Sequence, residues 1–189
     1  MAMTINGSGT VTGLSVGGLP DGTVDSGTLA TDSVTAAKLE ASAITGADLP
    51  AGSVIQVVSE LNTSALLWTD GSRQTAVTKS ITVQEGNKVL MNFVGTLSNG
   101  SVGTGVWSDM AFLYLYQDSS SIRQFEHDGT QSVNGSNHRV YNVSGSHLTG
   151  ALSAGTYAFS LRVDPYDANS FEVNRDNRPS SMILMEIQV

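Results

Sequence analysis

Apolar residues recur along the first part of the chain at a fixed interval. Leu14, Leu19, Val24, Leu29, Val34, Leu39, Ile44, Leu49 and Val54 fall at every fifth position. The rungs alternate: positions 19, 29, 39 and 49 are leucine, and 24, 34, 44 and 54 are β-branched, so the unit is ten residues long. Thr35-Ala36-Ala37-Lys38-Leu39 reads as one helical turn with Thr35 as N-cap. Thr45-Gly46-Ala47-Asp48 resembles a capping box with Asp in place of Glu, closed by Pro50. The β-branched rungs are expected in short extended stretches. Residues two before each rung are small or short, as at Gly22, Gly27, Ala37 and Ala47, which lets backbones approach closely. A lone helical turn is unstable in water, and a repeat of few units rarely buries its apolar face alone. Order must then come from partners, most simply copies of the same chain around an axis. A disordered linker would not hold the period.

Beyond residue 53 the apolar pattern shifts to period two, in short runs separated by turn residues. Strands are predicted at 54–58, 75–84, 88–97, 107–117, 122–127, 138–143, 155–164, 170–174 and 181–189. Turns are predicted at Glu85-Gly86-Asn87, Asn99-Gly100 and Asp128-Gly129. The run 107–117 is apolar on both faces, with Phe112, Tyr114 and Tyr116 against Leu113 and Leu115, which predicts a central strand covered on both sides. The run 181–189 is also two-sided, with Glu186 among apolar neighbours. One of its faces is expected on the core and the other on another subunit. Eight to ten strands without a convincing helix predict an all-β fold, a jelly-roll-like β-sandwich preceded by an extended repeat-containing stalk. No aromatic residue precedes residue 53. The expected organisation is an N-terminal arm at 1–13, a repeat stalk at 14–52 and a β-sandwich domain at 53–189.

Charge and composition narrow the function. Among 189 residues only 9 are Lys or Arg against 17 Asp or Glu, for a net charge of −8. That disfavours nucleic acid, whose phosphates need basic residues, and anionic membranes. With no cysteine there is no disulfide, thiol nucleophile or thiolate metal site. Met1 to Gly7 lacks the basic region and apolar core of a secretion signal, and no apolar run is long enough to span a membrane. A soluble intracellular product, without membrane insertion, is therefore expected.

Catalytic patterns are missing. There is no Gly-x-Ser-x-Gly elbow and no phosphate-cradling Gly-x-x-x-x-Gly-Lys. His127, His138 and His147 are spaced for separate strands or loops rather than for one metal. Neither a cofactor, a metal nor an enzymatic activity is expected. A carbohydrate-active enzyme would need carboxylates meeting in a groove. The segment Asn174 to Pro179 holds two of the nine basic residues. Exposed Arg beside Tyr or Trp suits sugar or carboxylate recognition, which makes Trp107, Tyr166, Arg175 and Arg178 the candidate recognition residues.

The decads Gly22-Thr23-Val24, Asp32 to Leu39 and Gly52 to Val58 resemble repeats in tail fibres and related virion proteins of tailed bacteriophages. Ala154 to Leu161, Val173-Asn174-Arg175 and Ile183 to Ile187 are similar to C-terminal β domains of phage structural proteins. The resemblance implies a homotrimeric fibre whose N-terminal segment docks to other virion proteins. Leu14, Leu19, Val24, Leu29, Val34, Leu39, Ile44 and Leu49 would serve trimerisation and anchoring. A C-terminal knob, similar to complement or tumour-necrosis-factor jelly rolls, would face outward toward host cell-surface glycan. A capsid decoration or head fibre is the nearest alternative. A pentapeptide-repeat module, also spaced by five, is the alternative of another class, though the ten-residue superperiod has no reason in that fold.

Overall fold

A computed structural model describes residues 4–5, 11–12, 29, 31, 33–40, 43–67, 73–99, 105–133, 140–165, 171–174 and 178–189. The chain forms two compact units, Met1–Thr45 and Gly46–Val189.

In the first unit, β1 (Thr4–Ile5) and β2 (Val11–Thr12) pair antiparallel. The decad takes the same local form twice along the chain. A 3-10 turn spans Ala36–Lys38, with Leu39 directly after it, and another, at the start of the second unit, spans Gly46–Asp48, with Leu49 directly after it. Lys38 N donates to Thr35 O at 2.9 Å, and Leu49 N to Gly46 O at 3.1 Å. The helical turns fall where the small residues and caps place them. Val34 and Ile44 sit in bends rather than in the expected extended stretches, and among the described β-branched rungs only Val54 opens a strand.

The second unit holds β3 (Val54–Asn62), β4 (Leu66–Leu67), β5 (Gln74–Val83), β6 (Lys88–Asn99), β7 (Gly105–Gln117), β8 (Ser120–Val133), β9 (Val140–Leu148), β10 (Gly155–Pro165), β11 (Phe171–Val173) and β12 (Ser180–Ile187). One sheet runs β5-β10-β7-β8. The other runs β3-β12-β6, with β9 on the far edge of β6 and the short β11 and β4 continuing beside the end of β6. Every pairing is antiparallel. Among the eight long strands, each connection crosses between sheets except β7 to β8, the strand order of a jelly roll.

Alternation decides what lies between the sheets. Val77, Ile81 and Val83 from β5, Leu113 and Leu115 from β7, and Phe159, Leu161 and Val163 from β10 meet Val89, Met91, Phe93 and Leu97 from β6 and Met182 and Leu184 from β12. A larger residue would not fit at two inward positions. A Cβ on Gly145 would lie 2.8 Å from Phe93 Cζ, and one on Gly95 would lie 2.8 Å from Leu161 Cδ2. The Phe93 ring takes the space Gly145 leaves and meets Phe125 edge-on at 5.2 Å.

Polar groups close the margins. Lys79 Nζ on β5 donates to Glu60 Oε2 on β3 at 3.1 Å. At one end Glu186 is 1% exposed. Its carboxylate accepts from Gln84 N (2.7 Å), Asn87 Nδ2 (2.7 Å) and Gln56 Nε2 (2.6 Å). Burial would raise this carboxyl's pKa, but the hydrogen bonds from Asn87, Gln56 and Gln84 N outweigh it and hold the pKa below the ordinary value. The residue flagged by sequence as a charge among apolar neighbours is thus a satisfied buried carboxylate that ties β3, β12 and the β5–β6 turn together. Residues before β3 belong to this end as well. Gly46 is buried against Ile55 and Gln84, Gly52 N donates to Gln188 O at 2.8 Å, and Gln188 N donates to Ser53 O at 2.9 Å.

Two turn predictions fare differently. Glu85-Gly86 forms a turn, with Gly86 at φ 83°. Asp128-Gly129 does not: both lie inside β8, opposite Met110 and Asp109. The β7–β8 reversal falls instead at Asp118, at φ 54°. Asp118 tolerates this left-handed conformation while its Oδ1 accepts from Ala158 N at 2.8 Å.

Candidate functional site

The sandwich presents two outer faces of different chemistry. On the four-stranded sheet, the side of β7 opposite Leu113 and Leu115 carries Phe112, Tyr114 and Tyr116 in a row, with ring centroids 6.3 and 6.4 Å apart. The predicted cover over this second face is supplied by arginine side chains. The Arg73 guanidinium lies 4.2 Å from the Tyr114 ring centroid, and that of Arg162 lies 4.1 Å from the Tyr116 centroid. Tyr116 is left only 7% exposed.

The two arginines differ in charge compensation. Arg73 donates to Tyr116 Oη and pairs with Asp164 Oδ2 at 2.5 Å; that bond chiefly raises its pKa. Arg162 donates through Nε to Ser160 Oγ at 3.1 Å and through Nη2 to Asp118 O at 3.4 Å, both neutral oxygens. Among the described residues no carboxylate reaches ion-pair distance of Arg162. The patch therefore holds a cation with spare hydrogen-bonding capacity over an aromatic stripe that it covers, an arrangement suited to receiving a carboxylate.

The opposite face, on β3-β12-β6-β9, is apolar. Register sets its outward residues in rows across the four strands. The first row is Leu61, Ser181, Val94 and Ser144. The second is Ser59, Ile183, Asn92 and Ser146. The third is Val57, Met185, Leu90 and Leu148. None carries a charge. Val57, Leu61, Val94, Leu148 and Ile183 are between 37% and 59% exposed. Ile183 stands between two depressions of about 400 and about 460 Å³, one toward β9 and one toward β3.

The ladder is exposed too. Leu29, Val34, Leu39, Ile44, Leu49 and Val54 range from 36% to 59%. Leu14, Leu19 and Val24 lie outside the described residues. So do Tyr166, Arg175 and the side chain of Trp107, which leaves Arg178, exposed just before β12, as the one described member of that candidate set. The structure gathers Arg73, Arg162, Tyr114 and Tyr116 instead. Of these, the aromatic stripe had a signal in the sequence, the two-sided run on β7. The arginines arrive from β10, whose alternation turns Arg162 outward, and from the residue before β5, where no local pattern announces Arg73.

The remaining histidine with a described side chain is His147, whose pKa is lowered by burial first and by Arg123 second. Among the described residues no cluster of three or more His, Asp or Glu could hold a metal, and no helix is long and apolar enough to cross a membrane.

No family model matches this chain, and no curated protein matches it. Its sheets are similar to parts of several solved structures. One is dimeric latent PorU from Porphyromonas gingivalis, at 11% identity and TM-score 0.40, covering 77% of this chain and 14% of that one. A second is the VP2 subviral particle of infectious bursal disease virus, at 11% identity and TM-score 0.38, covering 71% and 37%. A third is the sugar-binding EclA C-terminal domain, at 14% identity and TM-score 0.35, covering 65% and 78%. The chain thus spans well under two thirds of the first two, and at these values it is assigned to none of the three.

Proposed function

We propose that this protein is a non-enzymatic structural component of a bacteriophage particle: a homotrimeric fibre that attaches to the particle through its N-terminal repeats and displays the sandwich for host-surface adhesion. The observation that carries the reading is the exposed ladder. Evenly spaced Leu, Val and Ile side chains, each more than a third exposed in the single chain, gain nothing from their period unless other copies cover them. Three copies also supply avidity, so that weak individual sites bind a multivalent surface strongly. The Arg162–Tyr116 patch is the adhesive surface in this reading, and carboxylated cell-surface glycan is its ligand.

Mass in solution tests the assembly. Light scattering behind size exclusion should give about three times the 19.7 kDa chain mass; a single-chain mass at micromolar concentration rejects the trimer. A glycan array tests adhesion. Binding to carboxylated over neutral glycans, abolished by Arg162→Ala, is expected. Equal binding by that variant would remove the patch from the mechanism, and release of reducing ends from host polysaccharide would reject the non-enzymatic reading.

A further inference from the structure

We infer that the outer face of β3-β12-β6-β9, centred on Ile183, is the surface by which the sandwich packs against another copy of this chain. The inference rests on the assembly reading above and gives it a location outside the repeats.

Exposure is the first argument. In a soluble sandwich the outward positions of an antiparallel sheet are normally polar. Both outer faces carry apolar side chains, but on the opposite sheet Arg73 and Arg162 lie over the rings of Tyr114 and Tyr116. Ser80, Thr82 and Thr156 occupy outward positions on the opposite sheet, whereas this face offers Val57, Leu61, Val94, Leu148 and Ile183.

Size is the second. Four strands about 4.8 Å apart and five residues at about 3.4 Å each give a footprint of roughly 330 Å². That falls within the ~300–600 Å² of the largest patches on monomers, which are often functional. It is also about two fifths of the ~800 Å² each partner contributes to a standard interface, as the centre of a larger patch within a polar rim would be.

Charge selects the occupant. The chain carries −8, so two copies repel wherever their acidic surfaces meet. The three central rows hold no ionisable side chain, with Lys88 at the next outward position of β6 and Glu60, paired with Lys79, at the β3 rim, so this is where an identical acidic chain can approach at least electrostatic cost. A basic partner would gain nothing there, and a sugar would find serines but no stacking ring. Continuity agrees. The ladder runs through Leu49 and Val54, both exposed, into the first residue of β3, and Val57 and Leu61 carry the apolar surface onward along the same strand.

The chain has no cysteine, so a single introduced thiol reports its own surroundings. Ile183→Cys places one at the centre of the face, and Ser80→Cys places one on the opposite sheet. Full-length protein is labelled with maleimide at a concentration where its mass shows several chains. Ile183→Cys should react about tenfold more slowly than Ser80→Cys, in proportion to the time the face is covered, and the rates should converge on dilution to single chains. If Ile183→Cys does not fold, Ser146→Cys in the same row gives the same readout. Equal rates in an assembled protein overturn this face as the interface while leaving the assembly reading intact. A single-chain mass at tens of micromolar overturns both.

Discussion

The outward side chains of the two sheets come from the same alternation, yet the apolar members of one set are covered by their own chain and those of the other are bare in the single chain. Around Tyr114 and Tyr116 the protein supplies its own cover: guanidiniums lie on the rings and Asp164 balances one of them. Around Ile183 there are serines, one asparagine and bare apolar side chains. Apolar sequence on an outward face therefore carries two meanings. It can be a stripe sealed by long cationic side chains of its own chain, or a surface that awaits another molecule. What separates them is whether arginines reach it.

The sharpest way to break this comparison uses two neighbours on β12. Leu184 is fully buried and Ile183 points outward. Leu184→Ala should lower unfolding stability by about 2–5 kcal/mol through transfer and cavity costs. Ile183→Ala should cost under about 1 kcal/mol in dilute protein, because little apolar area changes environment. Denaturant melts of the two at equal low concentration check this, and a large loss for Ile183→Ala would mean the outer face belongs to the fold. At high concentration Ile183→Ala should also lower the assembled fraction.

Next in size is the buried carboxylate common to both sheets' margins. Glu186→Gln should destabilise by about 1–3 kcal/mol at neutral pH, since one amide oxygen cannot accept from Gln84 N, Asn87 and Gln56 together. The pKa of Glu186 in the folded protein lies below its unfolded value. Its charged form therefore contributes stability above an unfolded pKa of about 4.3, and that contribution is lost as pH falls through the folded pKa. Acid titration of stability should be steeper in the native protein than in Glu186→Gln; parallel curves would contradict the hydrogen-bond account.

The smallest effect belongs to the covered face. Arg162→Ala should cost about 0.5–1 kcal/mol of stability by removing a partly exposed cation–π contact. It should also raise the quenching of Tyr116 emission by added iodide. Unchanged quenching would show that the ring is sealed by something other than the guanidinium.

Much of the sandwich was legible because alternation is a local signal. The run at β10 places Tyr157, Phe159, Leu161 and Val163 inward and Arg162 and Asp164 outward, as its period requires, and Gly86 marks its turn by a conformation that favours glycine. Asp128-Gly129 misled because β7 offers a continuous partner along Gly105 to Gln117, and ladder hydrogen bonds there override the turn preference of the dipeptide. The reversal at Asp118 carries no glycine to announce it. The candidate patch was only half visible. Arg73 and Asp164 stand 91 residues apart, and their meeting depends on which strands become neighbours, a property of topology rather than of any window of sequence. The two-sidedness of β12 was readable, and the structure identifies Met182, Leu184 and Glu186 as its core side.

The backbone clasp between Gly52, Ser53 and Gln188 has a topological consequence. The polypeptide enters and leaves the sandwich through one doorway, so nearly all of the jelly roll is a closed circuit whose seam is two hydrogen bonds wide. A circularly permuted sandwich, sewn shut at that seam by a short linker and opened at the Asp118 turn, keeps every long strand beside its present neighbours. Its point of entry would then move to the β7–β8 turn, and the N-terminal repeat segment could be regrafted there without redrawing the core.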